Sequence, residues 1–174
     1  MRRRSEVPRP AFPEIQLHRM NPACRLVVFR VEEGRFAVRL EEVERVVAAV
    51  ELAPLPDAPR LVLGVFNLQG RVIPALDLRR RLGRPERELG IADQFLVVRS
   101  AGRPLALVTD RVEGILEVPA AEPVPIGEVV PELPGVAGIL RRPDGLVVIH
   151  DLARFLSPEE ERLLGAAGER LAQA

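Results

Sequence analysis

One β-rich unit occurs twice in this sequence, and the repeat limits what the chain can fold into. In the first copy, residues 62–78, two apolar runs flank Asn67 and Gly70, which favour a tight turn because they tolerate positive backbone φ angles. This arrangement predicts a β-hairpin followed by a short helical turn. A related pattern returns later, with Gly64 matched by Gly138, Asp77 by Asp151 and Leu82 by Leu156.

The segments that precede these units repeat as well. Residues 26–31 and 35–40 predict one hairpin, and residues 94–99 and 104–108 predict its counterpart. Two proline-bearing segments, 53–59 and 119–134, predict surface connections, because proline has no N–H to donate to a strand ladder. Each half therefore predicts about five short strands, and a small closed barrel in each half would hide the strand edges.

The domain organisation follows from this reading. Residues 1–22, rich in proline and arginine, predict a flexible tail, and residues 23–165 predict the folded domain. The first lobe is expected at about 23–88 and the second at about 91–156, with an exchange of later strands between lobes left open. Ser157 as N-cap and Pro158 at the first helical position predict a C-terminal helix at 157–174.

Composition excludes several classes of function. The 25 basic residues cancel the 25 acidic ones, which argues against a broad surface for nucleic acid or anionic lipid. The single cysteine, Cys24, cannot form an internal disulfide, which favours a reducing compartment. No run approaches the roughly 18 apolar residues that a membrane span needs. The expected location is therefore the cytoplasm, without direct membrane insertion.

The sequence offers no recognisable catalytic, cofactor or metal site. His150 stands beside Asp151, but neighbours in a strand point to opposite faces, so a structural histidine is favoured over a catalytic base. Asp77 and Asp151 each precede a predicted helical turn, and an N-cap explains them better than a metal or acid–base role. The arginine run 79–81 is interpreted as a solvated face. We expect a protein that is not an enzyme and that works by holding other proteins.

Four segments, 38–47, 63–78, 108–115 and 144–152, resemble the CheW family of bacterial chemotaxis coupling proteins, and the match extends in order over about residues 24–165. The resemblance implies a mainly β fold of two five-stranded SH3-like barrels, without catalytic activity or cofactor. It also implies a cytoplasmic adaptor, with recruitment to membrane receptor arrays left open. Its implied partners are the regulatory domain of a CheA-type histidine kinase and the cytoplasmic tip of a methyl-accepting chemoreceptor, with other CheW-like domains left open.

The resemblance also assigns a receptor-facing surface, although ordinary core positions remain an alternative for its aliphatic members. Family members commonly carry Glu where this chain has Arg45 and Arg where it has Gln69, so the usual ion pair cannot form here. A hydrogen bond between Arg45 and Gln69 is expected to hold the turn instead. The predicted partner-binding residues are Val27, Leu40, Val43, Arg45, Asn67, Leu68, Gln69 and Gly70.

Three functions follow as hypotheses. The first is a scaffold that couples chemoreceptors to a CheA-type kinase. The second is a divergent CheW-like scaffold that docks another signalling or motility regulator, such as a GTPase-type system; Gln69 and the proline-rich tail favour it. The third, an enzyme, would need a convergent polar pocket between the lobes, and the sequence does not indicate one.

Overall fold

The structure, a computed structural model, describes residues 23–119, 122–125 and 135–173. The predicted tail at 1–22 and most of the predicted connection at 119–134 lie outside this range. Two α-helices, α1 (Leu78–Arg81) and α2 (Pro158–Gln173), accompany 3₁₀ helices at Leu40–Glu42 and Leu152–Arg154. The strands are β1 (Ala23–Val31), β2 (Gly34–Arg39), β3 (Val43–Ala48), β4 (Val62–Leu68), β5 (Arg71–Asp77), β6 (Gln94–Ser100), β7 (Arg103–Thr109), β8 (Arg111–Pro119), β9 (Val124–Pro125), β10 (Val136–Arg142) and β11 (Gly145–His150).

The described strands form two sheets with matching strand order. One sheet has the order β8-β1-β2-β11-β10-β9, and the other has the order β3-β6-β7-β5-β4. Each sheet contains one parallel pair, β2 with β11 and β5 with β7, and its other pairs are antiparallel. The register is also equivalent: Ala37 lies opposite Ile149 in one sheet, and Ala106 lies opposite Ala75 in the other. The predicted sequence repeat is therefore also a structural repeat, and the predicted mainly β fold with two subdomains is confirmed.

The two sheets do not correspond to separate halves of the chain: they exchange strands, which is the arrangement left open in the sequence analysis. Strands β1 and β2 pair with β8, β10 and β11, whereas β3, β4 and β5 pair with β6 and β7. A single residue, Asp110, connects β7 to β8, so the Cα atoms of Thr109 and Arg111 lie at most about 7 Å apart. Pairing β8 with β6 in the same sheet would place β8 where β3 lies, about two strand spacings from β7, or roughly 9.5 Å. The chain therefore crosses to the other sheet, and the repeats exchange strands.

The core lies in three clusters, one for each sheet and one between the sheets. In β1, Leu26 and Val28 pack within their own sheet's cluster, whereas Val27 and Phe29 pack in the cluster shared with β6 and β7. In β6, Phe95 belongs to its own sheet's cluster. Successive strand residues point to opposite faces, so a central strand buried on both faces needs a continuous apolar run. This explains why these strands lack a polar alternation.

The hairpin at the centre of the first repeat turns within the predicted residues 67–70, but Gln69 rather than Asn67 has the positive φ angle. Gln69 and Gly70 have φ angles of 54° and 83°, as the two central residues of a type I′ turn require. The Asn67 Oδ1 atom accepts a hydrogen bond from the Gly70 N–H at 2.8 Å. Gly64 has a different role, since a Cβ there would lie 2.5 Å from the Ala53 carbonyl oxygen. Because Gly64 has no Cβ atom, Ala53 can approach closely enough to form a β-bridge with Val65.

The predicted helix starts are confirmed. Asp77 accepts a hydrogen bond from the Arg79 N–H at 2.9 Å, and Asp151 accepts one from the Ala153 N–H at 3.0 Å. At α2, Ser157 Oγ accepts from the Glu160 N–H at 3.2 Å, and Glu160 Oε2 accepts from the Ser157 N–H at 2.8 Å. The α2 helix therefore begins with a capping box. None of the helices in the described ranges is long and apolar enough to cross a membrane.

His150 is a buried structural residue, with 3% of its surface exposed. Its ring stacks on Phe36 at a centroid distance of 5.5 Å and meets the edge of Phe155 at 5.6 Å. Its Nδ1 atom lies 3.0 Å from the Gly135 carbonyl oxygen, so Nδ1–H donates to that oxygen and Nε2 is unprotonated in the neutral ring. Burial lowers the pKa of His150 below its ordinary value of 6.5.

This depressed pKa predicts a loss of stability in mild acid. Below pH 6.5 the unfolded chain binds a proton at His150 that the folded chain resists, so the free energy of unfolding falls as pH falls. One such group contributes a slope of at most about 1.4 kcal/mol per pH unit. The free energy of unfolding, measured with urea at several pH values between about pH 5 and pH 7, should change less steeply with pH in His150→Phe than in the wild type. Parallel curves for the two proteins would contradict this assignment.

Candidate partner-binding site

The predicted partner-binding residues fall into two groups in the structure. Val27 is only 4% exposed and lies in the core shared by the two sheets, as the alternative of an ordinary core position predicts. Leu40 and Val43 are partly buried and pack against that same core. Any contact of these three residues with a partner stays a prediction. Because Val27 is enclosed, Leu40 and Val43 are the members of this group that a partner can reach directly.

The second group lies at the tip of the β4–β5 hairpin and on the neighbouring strand β3. Arg45, Asn67, Gln69 and Gly70 are exposed, and Leu68 is partly buried. Arg45 Nη1 donates a hydrogen bond to Gln69 Oε1 at 3.2 Å. The structure thus forms the hydrogen bond that was expected between these two residues. This contact holds the hairpin tip against β3, although Gln69 carries no negative charge to pair with Arg45.

An ion-pair cluster around Glu44 adjoins this contact, and the sequence reasoning missed it. Glu44 accepts hydrogen bonds from Arg71 Nη2 at 2.8 Å and from Arg99 Nε at 2.7 Å. The hydrogen bond from Arg71 makes the largest contribution to lowering the pKa of Glu44. The three residues come from β3, β5 and β6, so the cluster fixes the relative position of three strands. A signal was available in Arg71, the basic residue directly after the turn.

We define the hairpin–β3 cluster as Glu44, Arg45, Gln69, Arg71 and Arg99. Three arginines face one glutamate in this set, so the cluster carries an excess of two positive charges. Such a surface can bind carboxylates on a protein partner, because arginine guanidinium groups pair with carboxylates through two parallel hydrogen bonds. Within the described residues no group of three or more His, Cys, Asp and Glu side chains is arranged to hold a metal ion.

A second charged cluster lies where the chain crosses between the sheets. Arg79 is 1% exposed, so the interpretation of the arginine run as a solvated face is wrong for this residue. Its guanidinium contacts Asp110 and lies 3.4 Å from Asp77 Oδ1. Arg87 binds both Asp110 and Asp93, at 2.5 Å and 2.6 Å. Partial burial raises the pKa of Asp93, but the hydrogen bonds from Arg87 and the Gly90 N–H, together with the nearby arginine charges, outweigh it and lower the pKa overall.

We call these residues, Asp77, Arg79, Arg87, Asp93 and Asp110, the crossover cluster, and Asp110 connects it to the other sheet. Its backbone N–H donates to the Arg30 carbonyl oxygen at 2.9 Å, and its Oδ2 atom accepts from the Glu32 N–H at 2.5 Å. Arg30 belongs to β1, and Glu32 belongs to the turn that follows β1. Arg79 lies in α1, which directly follows β5 of the five-stranded sheet. The single connecting residue between β7 and β8 is therefore bonded to both sheets. This fixes the relative placement of the two sheets and of the surfaces they carry.

A family model described as a CheW-like domain matches residues 25–160. The chain belongs to the CheW family. Among CheW relatives, the chemotaxis protein CheW of Rhizobium meliloti is 35% identical over 101 residues, which cover 58% of this chain and 65% of that protein. Protein FrzA of Myxococcus xanthus is 34% identical over 108 residues, which cover 61% of this chain and 68% of that protein. The chain thus aligns with about two thirds of the length of these relatives.

A solved CheW structure has the same fold. The scaffolding protein TtCheW from Thermoanaerobacter tengcongensis superposes with a TM-score of 0.72 at 24% sequence identity, and the match covers 80% of this chain and 96% of that one. The resemblance drawn from the sequence is confirmed by the family match and by this fold. Closure of each sheet into an SH3-like barrel stays a prediction, although the Ala53–Val65 bridge brings the chain that follows β3 to β4, the opposite edge strand of the five-stranded sheet.

Proposed function

We propose that this protein is a non-enzymatic scaffold that couples chemoreceptors to a CheA-type histidine kinase in a bacterial chemosensory array. The observation that carries the proposal is the CheW-like match over residues 25–160, which includes both sheets. The exchange of strands supports it physically. Because each repeat contributes to both sheets, a partner on one sheet and a partner on the other are held at a fixed separation.

The proposed partners are the regulatory domain of the kinase, the cytoplasmic tip of the receptor and, in arrays, other CheW-like domains. The proposed receptor contact consists of Leu40 and Val43 together with the hairpin tip at 67–70. The apolar face of a receptor helix suits the aliphatic pair, as in other grooves that accept helices. A scaffold with two occupied surfaces transmits receptor state as a coupling free energy between the two binding sites. We place the protein in the cytoplasm, at receptor arrays when bound.

A scaffold for another signalling or motility regulator is the alternative, and the relatives do not favour it. The relatives from Rhizobium meliloti and Treponema pallidum are described as chemotaxis proteins. Replacement of the family's ion pair by the Arg45–Gln69 hydrogen bond is a small energetic change, because exposed ion pairs contribute only about 0–1 kcal/mol. This departure therefore leaves the hairpin tip in place and changes only the charge that a partner meets.

Substitution of Val43 by glutamate tests the proposed surface. We expect Val43→Glu to reduce capture of the receptor tip or kinase domain from the same organism at least tenfold, because a carboxylate replaces an apolar contact. The measurement is a pull-down with purified partners, accompanied by circular dichroism to verify folding. Val50→Glu is the matched control, since Val50 is exposed and is not among the residues that pack on the core clusters.

The outcomes separate the site from the function. If Val43→Glu folds and still binds as the wild type does, the proposed surface is wrong. If Val50→Glu loses as much binding as Val43→Glu, the effect comes from added negative charge rather than from the site. If the wild-type protein binds neither a receptor tip nor a CheA-type kinase from its own organism, the coupling function itself is contradicted.

A further inference from the structure

An arginine-lined cleft of about 430 Å³ lies between α1, the end of the connection before β4 and the first turn of α2. We call it the arginine cleft. Four arginines and two glutamates line it, so its wall carries an excess of two positive charges. Its lining residues are Arg60, Leu61, Arg80, Arg81, Gly83, Arg84, Glu86 and Glu160. This cleft is separate from the hairpin–β3 cluster, with which it shares no residue.

The two glutamates are already engaged, and neither can balance the remaining charge. Glu86 is shared between Arg60 at 3.5 Å and Arg80 at 3.4 Å, and both distances are long for charge-assisted hydrogen bonds. Glu160 accepts from Arg81 at 2.9 Å while it also caps α2. Each carboxylate therefore serves two donors at once. Arg80 Nε and Arg81 Nε also have no hydrogen-bond partner among the described residues, so guanidinium N–H groups of the cleft remain unpaired.

The arginines differ in how firmly they are held. Arg80 Nη1 donates to the Arg60 carbonyl oxygen at 2.5 Å, which fixes its guanidinium at the cleft wall. The side chain of Arg60 is 88% exposed, and that of Arg84 is 62% exposed. The nearest carboxylate to Arg84 among the described residues is Glu32, at 3.9 Å, too far for a hydrogen bond. One fixed and two adjustable guanidinium groups can thus converge on an anion.

We propose that the arginine cleft binds a phosphoryl-type dianion through Arg60, Arg80 and Arg84. Guanidinium groups offer paired N–H donors that match the oxygen spacing of phosphate. No aromatic ring is found among the lining residues, so the cleft does not provide a surface on which a nucleotide base can stack. The ligand chemistry is therefore a phosphoryl group itself, either free in solution or carried on a side chain of a partner protein.

Calorimetric titration of the full chain with sodium pyrophosphate and, separately, with a short phosphoserine peptide tests the proposal. Both titrations are made at about 0.15 M salt, where the Debye length is about 8 Å and diffuse attraction is screened. We expect saturable one-to-one binding of at least one probe. The double variant Arg60→Gln/Arg84→Gln should weaken it at least tenfold without unfolding the protein, because both side chains are largely exposed.

A second double variant controls for net charge. Arg25→Gln/Arg111→Gln removes the same two charges from exposed positions outside the cleft and should bind as the wild type does. Pyrophosphate binding alone would assign the site to a small free anion. Binding of the phosphopeptide, but not of its unphosphorylated form, would assign it to a modified partner. Binding of neither probe at millimolar concentration, or an equal loss in both double variants, would overturn the proposal.

Discussion

Asp110→Ala is expected to lower the free energy of unfolding by roughly 3–5 kcal/mol, as is usual when one partner of a buried ion pair is removed. Arg79 is almost fully buried and contacts Asp110 and Asp77. Without Asp110, the Arg79 guanidinium would keep one contacting carboxylate among the described residues, that of Asp77 at 3.4 Å. The Glu32 N–H would also lose its acceptor. Urea unfolding followed by circular dichroism measures the effect.

Asp144→Ala is the matched control for this variant. Asp144 also pairs with an arginine, Arg35 at 2.7 Å, but its side chain is well exposed. Surface pairs of this kind contribute about 0–1 kcal/mol. If Asp110→Ala lowers the free energy of unfolding no more than Asp144→Ala does, the crossover cluster does not stabilise the fold as the structure indicates. The double variant Arg79→Met/Asp110→Ala provides a further check, because removing both charges should cost less than the sum of the single changes.

The sequence was sufficient to predict features that local chemistry determines. The turn at Gln69 and Gly70, the caps at Asp77 and Asp151 and the start of α2 at Ser157 each depend on a few neighbouring residues. Such signals act within one turn of backbone, so the sequence contains them completely. The family resemblance added the Arg45–Gln69 contact, which joins distant segments and which no local pattern predicts.

The pairing of strands between the repeats could not be read in the same way. The two copies pair with equivalent registers. Local pattern alone therefore allows the β1–β2 hairpin to pair with either the β4–β5 hairpin or the β10–β11 hairpin. The choice depends on the length of a connection, one residue at Asp110, rather than on hydrophobic periodicity. The burial of Arg79 was missed for a related reason. Its partner Asp110 is far away in sequence, and the run of three arginines looks solvated when read alone.

Exchange of strands also predicts that the two sheets unfold together. Phe29 lies on β1, is fully buried and belongs to the core shared by both sheets. Phe29→Ala should lower the free energy of unfolding by roughly 3–5 kcal/mol through lost burial and the cavity left behind. Because β1 pairs with β8 and its shared core includes Leu96 of β6, the destabilisation should reach the whole domain. Ile91→Ala, at a fully exposed position, should change stability by no more than about 0.5 kcal/mol.

Native-state hydrogen exchange distinguishes this expectation from independent lobes. In Phe29→Ala, the slowest-exchanging amides of β1 and β2 in one sheet and of β6 and β7 in the other should lose protection by the same factor, since they open in one cooperative unit. If amide protection fell in the six-stranded sheet alone and stayed unchanged in β6 and β7, the two sheets would open separately. The scaffold would then not hold its two surfaces at a fixed separation, and coupling between them would need contacts from the bound partners.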